Sequence, residues 1–567
     1  MYPSISLLMR IFLLGIISIF SVFTYATSFE ERRQLFIEHA LDNPNGDSLV
    51  IAAQAGLPLN QQHLQALLND LDTIELSDFR LIKLIRILNY TRDYDAQILP
   101  IMSRFPYWLT RGEDTRVYWS ENHMIMWMSS SWLMYEREGW SIEANLRQRL
   151  VHYLKLKVEY GYYEFFSSVY FPYTMSGLLN LADFAEDPEI KMLATQAVKR
   201  LLKEVLMATN DQGAFFPAAG RNKTNKYTSA YGANHNKIIY LLTGMGHPAT
   251  TASTGSGILA TTEVDMNDVL NSWQPQVNTQ LIMGHSFGQF DALLAPLPKQ
   301  DKYIFQWSAG GYFHPDVAED TLWMLKEYDL WDHKNFDEFP GFSGFPGWIA
   351  KAGAKVLASI TRSSVLTGAK VHIYKNQSSM LSSVQDYWSG RLGHQQWPWA
   401  ATTGTIAVWT QSGAVKSDWH QRSSSNVNTH LPYIKQNENV ALIMYKANND
   451  LSLFGFNDQD VSLYWPTERF DETRAHDHWV LGREGDSYVA VRRHCKDTQQ
   501  SIMACAIDGQ TWAVVVGNQS THGSFDQFEA VIRAAQYSQK WKWNWRQWRY
   551  EYSGSIKVDG KSLAKTW

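Results

Sequence analysis

Cysteine is nearly absent. The only two in 567 residues, Cys495 and Cys505, stand either side of KDTQQSIMA, too few and too poorly accompanied for a thiolate metal site. In an exported chain they read as one disulfide across a hairpin. Charge is also scarce, at 19% of residues with a net of −5, which argues against nucleic acid as the main partner while leaving room for a local basic cleft. Long apolar runs are missing except at the start, where Arg10 precedes a run from Ile11 to Phe23 and a small-residue end at Ala26. That run is short for a membrane span and has the layout of a secretory signal. Residues 1–26 are therefore expected to be removed, leaving a periplasmic or secreted protein with no stable membrane span. An uncleaved anchor is the minor alternative.

What the chain has in quantity is apolar and aromatic surface: 45% hydrophobic residues, with 23 Trp, 28 Tyr and 26 Phe. Flat amphipathic rings suit carbohydrate sites, and equally a large aromatic core. The mature chain is too long for one core, since cores stop growing near about 250–300 residues, so two domains are expected. From Phe29 to about Tyr240 the text is helical, with amphipathic runs such as SDFRLIKLIRILNY and PEIKMLATQAVKRLLKEVLMAT. Helix pairs of this length suggest an array of hairpins able to close into a toroid. The small, polar stretch between Gly244 and Leu281 reads as a long loop or lid. After Gly353 short β-rich runs take over, among them AKVHIYKN, NVALIMYKA, SYVAVRRH and TWAVVVGN. Helices first and strands afterwards mean two segregated domains, 27–350 and 351–567, in an α+β multidomain chain: an α/α toroid followed by an antiparallel β-sandwich. WKWNWRQW sets Trp541, Trp543 and Trp545 on one strand face, for sugar stacking or, more simply, for an inner sandwich face.

Four stretches carry polar groups beyond structural need. YWSENHMIMWMSSSWLMY is an apolar helix opening on Glu121, Asn122 and His123 after a plausible N-cap, Ser120. GYYEFFSSVYFPY holds Glu164, Ser167, Ser168, Tyr170 and Tyr173; GAFFPAAGRNKTNKYTSAYGANHNK holds Arg221, Lys223, Tyr227, Tyr231, Asn234, His235 and Lys237. MLSSVQDYWSGRLGHQQWPWAATTG holds Gln385, Asp386, Arg391, His394, Gln395, Gln396 and Trp399. An amide, imidazoles, phenols and a guanidinium without metal-ligand spacing suit β-elimination beside a uronic acid. There the carboxylate is neutralised, a base removes the C5 proton and an acid protonates the departing O4.

These motifs together resemble the heparinase II/III-like polysaccharide lyases, and the Asn-His pair at a helix start is similar to the NNH motif of alginate lyases on the same toroid. The resemblance implies a polyuronate cleft between toroid and β domain. It implies Asn122 as carboxylate neutraliser, His123 as its helper or the base, Tyr170 or Tyr173 as the catalytic phenol, and Arg221 or His235 completing the site. Glu121, Tyr227, Tyr231, Lys237, Gln395, Gln396 and Trp399 would bind the acidic polysaccharide or oligosaccharide. Position 121 departs from the family in being Glu, and Trp397 stands where many relatives have His. Some relatives hold a structural metal in the β domain; Asp332, His333, His394 and His494 are candidate ligands, but no spacing is diagnostic and no metal or other cofactor is expected. Lys223, Lys226, Lys237 and Arg391 are candidates for reading sulfate. The alternatives are a glycoside hydrolase with paired carboxylates drawn from Glu121, Glu164, Asp183 and Asp211, and a non-catalytic periplasmic carbohydrate-binding protein.

Overall fold

The computed structural model describes residues 28–73, 77–109, 119–333, 336, 343–413, 426–446, 460–494, 504–506 and 510–567. The signal segment, Cys495 and the LSLFGF run lie outside the described residues, as do the side chains of His494 and Cys505, so the expected disulfide does too.

Helices fill the first half, and their first member returns to close the array. Phe29–Asp42 starts at a capping box made by Ser28 and Glu31. It buries Arg32, whose guanidinium donates to the last carbonyls of the helix His235–Thr243 (Leu241 O at 3.0 Å, Leu242 O at 2.7 Å). A cation on those carbonyls satisfies groups the helix leaves unpaired and complements its dipole. Deeper in, Arg86 of Leu81–Tyr90 ties three elements together, donating to Thr261 Oγ1, Asn180 Oδ1 and Asp183 Oδ2. Asp183, a carboxylate considered for hydrolysis, is thus a buried structural partner.

The expected loop or lid at 244–281 is structured, and its stretch 255–262 is buried in the core. It contains the short helices Ser256–Ala260 and Asn267–Leu270 and ends in the strand Gln276–Met283. Its small residues permit close packing rather than motion: a Cβ at Gly257 would lie 2.7 Å from the Asp47 carbonyl oxygen. Gln276–Met283 pairs antiparallel with Ala369–Asn376, so the helical half contributes the edge strand of a β-domain sheet.

The β half is layered. Seven antiparallel strands run in the order Gln276–Met283, Ala369–Asn376, Ser379–Val384, Trp399–Thr403, Ile406–Ser412, Asp460–Tyr464, Ala504–Ala506. A second, six-stranded antiparallel sheet packs on it, and a three-stranded sheet with the helix Phe525–Arg533 covers the far side. Strand Val440–Tyr445 explains why its text is apolar throughout. Ala441, Ile443 and Tyr445 enter the core between the two large sheets, while Val440, Leu442 and Met444 enter the outer one. With a side-chain period of two, a strand buried on both faces has no polar side to show. The Trp541–Trp545 face is divided: Trp541 packs on Tyr552 at the outer core, whereas Trp545 at the hairpin tip is 74% exposed.

The other face of the seven-stranded sheet, with Val371, Ile373, Ala400, Ala407 and Trp409, shares one core with the helices and with Trp397 just before the strand Trp399–Thr403. Toroid and sandwich are thereby welded along an apolar seam.

Candidate active site

The cleft is built at the start of the helix Glu121–Glu138. Ser120 occupies the N-cap in extended backbone but makes no side-chain cap bond; its Oγ accepts from Asn122 Nδ2 at 3.0 Å. Glu164 reaches the helix start instead, accepting from Asn122 N at 3.2 Å and Asn122 Nδ2 at 2.7 Å. Both amide hydrogens of Asn122 are thus committed to Ser120 and Glu164, and its buried Oδ1 has no partner among the described residues. Glu121 is 1% exposed and structural: it forms an ion pair with Lys157 and accepts the backbone N–H groups of Tyr163 (3.1 Å) and Glu164 (2.9 Å). That bonding straps the 161–170 loop to the helix.

His123 is oriented by a residue the sequence did not single out. Its Nδ1 bonds Asp78 Oδ2, which also accepts from Trp127 Nε1 at 2.8 Å. A fully buried carboxylate on Nδ1 selects the tautomer protonated there and directs basic Nε2 the other way, toward the cleft that His123 lines.

Three backbone loops lace the remaining residues together. Gly220 N donates to Phe165 O (3.0 Å), Ser167 Oγ to Arg221 O (2.6 Å), Asn222 N to Gln395 O (2.7 Å), and Ala219 and Trp397 exchange both backbone bonds. Phe166, Arg221 and Gln395 all have positive φ (51°, 60° and 55°), a strained backbone for residues with side chains. Such strain persists where the surroundings over-determine it, and here it aims Arg221 and Gln395 at one space. Arg221 is steadied by donating to Ser364 O at 3.0 Å.

The result is a cleft of about 310 Å³ lined by Ser120, His123, Glu164, Tyr170, Arg221, Tyr312, Ser363, Ser364, His394 and Gln395. Burial, with Glu121 nearby, pushes the Glu164 carboxyl up to about 7, against the pull of Asn122, Arg221 and His123. Burial pushes the Tyr170 phenol up to about 12, with Glu164 adding to the rise and Arg221 and a hydrogen bond to Gln395 opposing it. Tyr170 therefore holds its proton at neutral pH.

Of the residues expected at the site, His123, Tyr170, Arg221 and Gln395 line this cleft, and Asn122 touches two of its lining groups. The others lie elsewhere. Tyr173 lines a separate pocket with Asp47, Lys83 and Thr254. His235 is fully buried against Phe171 and Phe215, and burial pulls its imidazole down to about 3, so it stays neutral. Tyr227 stacks on Trp397 at 4.8 Å inside the domain seam and bonds the Pro217 carbonyl. Tyr231 donates to Gln212 O and Lys237 to Thr251 Oγ1, each at 2.7 Å. Gln396 is spent on Ser363 O and Val365 O, and Trp399 is a core residue bonded to Thr410. Tyr312, Ser363 and Ser364 joined the cleft without any sequence signal. Among the described residues no three His, Cys, Asp or Glu side chains gather as a metal site, and no helix is long and apolar enough to cross a membrane.

Fold and cleft define the class: a helical toroid followed by an antiparallel β-sandwich, with polar residues of both halves meeting in one groove. No family model and no curated protein matches the chain. Five solved chains do. A crystal structure of heparinase III aligns over 96% of this chain and 92% of its own, at 10% identity and a TM-score of 0.27. A second heparinase III gene product covers 100% and 97% at 10% identity and 0.22, and its form with methylated lysines 96% and 91% at 12% identity and 0.23.

Proposed function

We propose that the protein is an exported polysaccharide lyase that cleaves a uronate-containing chain by β-elimination. The observation that carries this reading is the gathering of an Asp78-oriented imidazole, a protonated phenol, a guanidinium and a single carboxyl group in one cleft. His123 Nε2 takes the C5 proton, the C5–H electrons form the C4–C5 double bond, and the C4–O4 bond breaks as Tyr170 gives its proton to O4. Arg221 offsets the charge that builds on the uronate carboxylate. Asn122, with its hydrogens on Ser120 and Glu164, supports that carboxylate through Glu164, which donates a hydrogen bond when protonated. Hydrolysis needs two carboxyl groups facing each other across the scissile bond, and Glu164 is the only carboxylate lining the cleft among the described residues.

The test is the ultraviolet absorbance of the unsaturated uronate product across alginates, glycosaminoglycans and other polyuronates. Tyr170→Phe is expected to lower kcat on the order of 10²–10⁴-fold, the usual worth of general acid catalysis, and Tyr173→Phe to leave it near the parent value. Reducing-end release without the chromophore would overturn the reading.

A further inference from the structure

Beside the cleft, two arginines share one tryptophan and pair with no carboxylate among the described residues. The guanidinium carbons of Arg362 and Arg391 lie 5.2 and 5.3 Å from the centroid of the Trp388 ring. Arg362 Nε and Arg391 Nη1 are buried without a hydrogen-bond partner, and neither arginine has an ion pair among the described residues. The segments that carry them are tied together by Leu392 N to Ser359 O (3.1 Å) and His394 N to Ser363 O (2.9 Å), which places the pair against Ser363, Ser364 and His394 of the cleft wall. His314 stands edge-on to Trp388 at 6.3 Å, and its one carboxylate neighbour, Asp316, is 3.6 Å away and largely exposed.

Two like charges on one ring, with buried donors and no ion-pair partner among the described residues, cost free energy that a bound oxyanion would offset. Burial and the neighbouring Arg362 lower the Arg391 guanidinium, and burial with the two arginines pulls His314 down to about 4. In both, burial is the larger cause and the neighbouring arginines add to it, with Asp316 opposing the shift at His314. Guanidinium groups with unpartnered N–H donors are suited to a planar or tetrahedral oxyanion. We infer that Arg362 and Arg391 form an anion subsite for an acidic substituent, a sulfate or a second carboxylate, on a sugar next to the one cleaved.

This subsite rests on the lyase reading for its substrate, but its test does not need turnover. The full chain carrying Tyr170→Phe is titrated calorimetrically with a sulfated glycosaminoglycan hexasaccharide, its desulfated form and a uronate hexamer, with and without Arg362→Gln/Arg391→Gln. Loss of one charge-assisted contact weakens binding by about tenfold or more. Weakening confined to the sulfated probe assigns sulfate; weakening shared by the carboxylate-only probes assigns carboxylate. Equal affinities with and without the arginines, or no binding of any probe, overturn the subsite. The single variants carry the comparison if the double variant loses its melting transition. In the chain with Tyr170 intact, absence of unsaturated product alongside an arginine-dependent affinity would sink the lyase reading and leave the subsite standing.

Discussion

In the proposed reaction His123 is a base only while Nε2 carries its lone pair into the cleft, and the bond from Nδ1 to Asp78 favours that tautomer. Asn at position 78 can present an amide N–H to Nδ1 and stabilise the opposite tautomer, turning Nε2 into a donor. Asp78→Asn is therefore expected to reduce kcat on the order of 10²-fold or more with little change in KM, read by steady-state kinetics on the cleaved polymer. Glu164 supports a second residue-scale prediction. Its folded carboxyl is raised to about 7 while the unfolded chain titrates near the ordinary 4.5. Between those values the unfolded state releases its proton first, so Glu164's contribution to stability falls as pH rises through that window and is flat beyond it. Glu164→Gln removes the effect, so the melting temperature of the variant relative to the parent should be higher at pH 8 than at pH 5. A difference that does not change with pH would refute the assignment.

At the scale of elements, the helix Glu121–Glu138 and the 161–170 loop are held in register by a buried ion pair rather than by the cap residue. Glu121 and Lys157 are 1% and 2% exposed at their side chains, and Lys157 also lies over the Tyr163 ring at 3.9 Å. Removing one partner strands a buried charge, so Lys157→Met is expected to cost about 3–5 kcal/mol in chemical denaturation. Glu121→Gln/Lys157→Met, with both charges gone, should cost much less. The two tyrosines face different spaces. Tyr170, the N-cap of the helix Phe171–Phe184, lines the cleft, whereas Tyr173 in the first turn lines the separate pocket. Three residues apart would put both on one helix face if both were helical, which is why sequence spacing alone could not separate them.

The whole molecule makes the site, because the toroid supplies His123, Glu164, Tyr170 and Arg221 while the β domain supplies His394 and Gln395. Their common fastening is Trp397, which bridges Ala219 through backbone bonds and stacks on Tyr227 in the seam. Trp397→Ala should cost about 3–5 kcal/mol, as for other buried tryptophans, and lower kcat as well by loosening Arg221 and Gln395. Unchanged turnover in a variant destabilised by that amount would mean that the seam does not position the cleft.

The chain's local pattern determined what local physics governs. Periodicities of 3.6 and then two residues dictated helices before strands, and the unusual cost of polar groups at the opening of an apolar helix drew attention to Asn122 and His123. Strand Gln276–Met283 escaped that reading because its sheet partner lies about a hundred residues further along the chain, and Gly255 and Gly257 of the apparent lid are small because their neighbours leave little room for a Cβ. Only the tertiary structure could bring Asp78 to His123, Tyr312, Ser363 and Ser364 to the cleft wall, and Arg362 to Arg391. Those approaches depend on loop closure across distant segments, where spacing along the chain carries no geometric information, and the same closure sends Glu121, His235 and Tyr227 into structural roles.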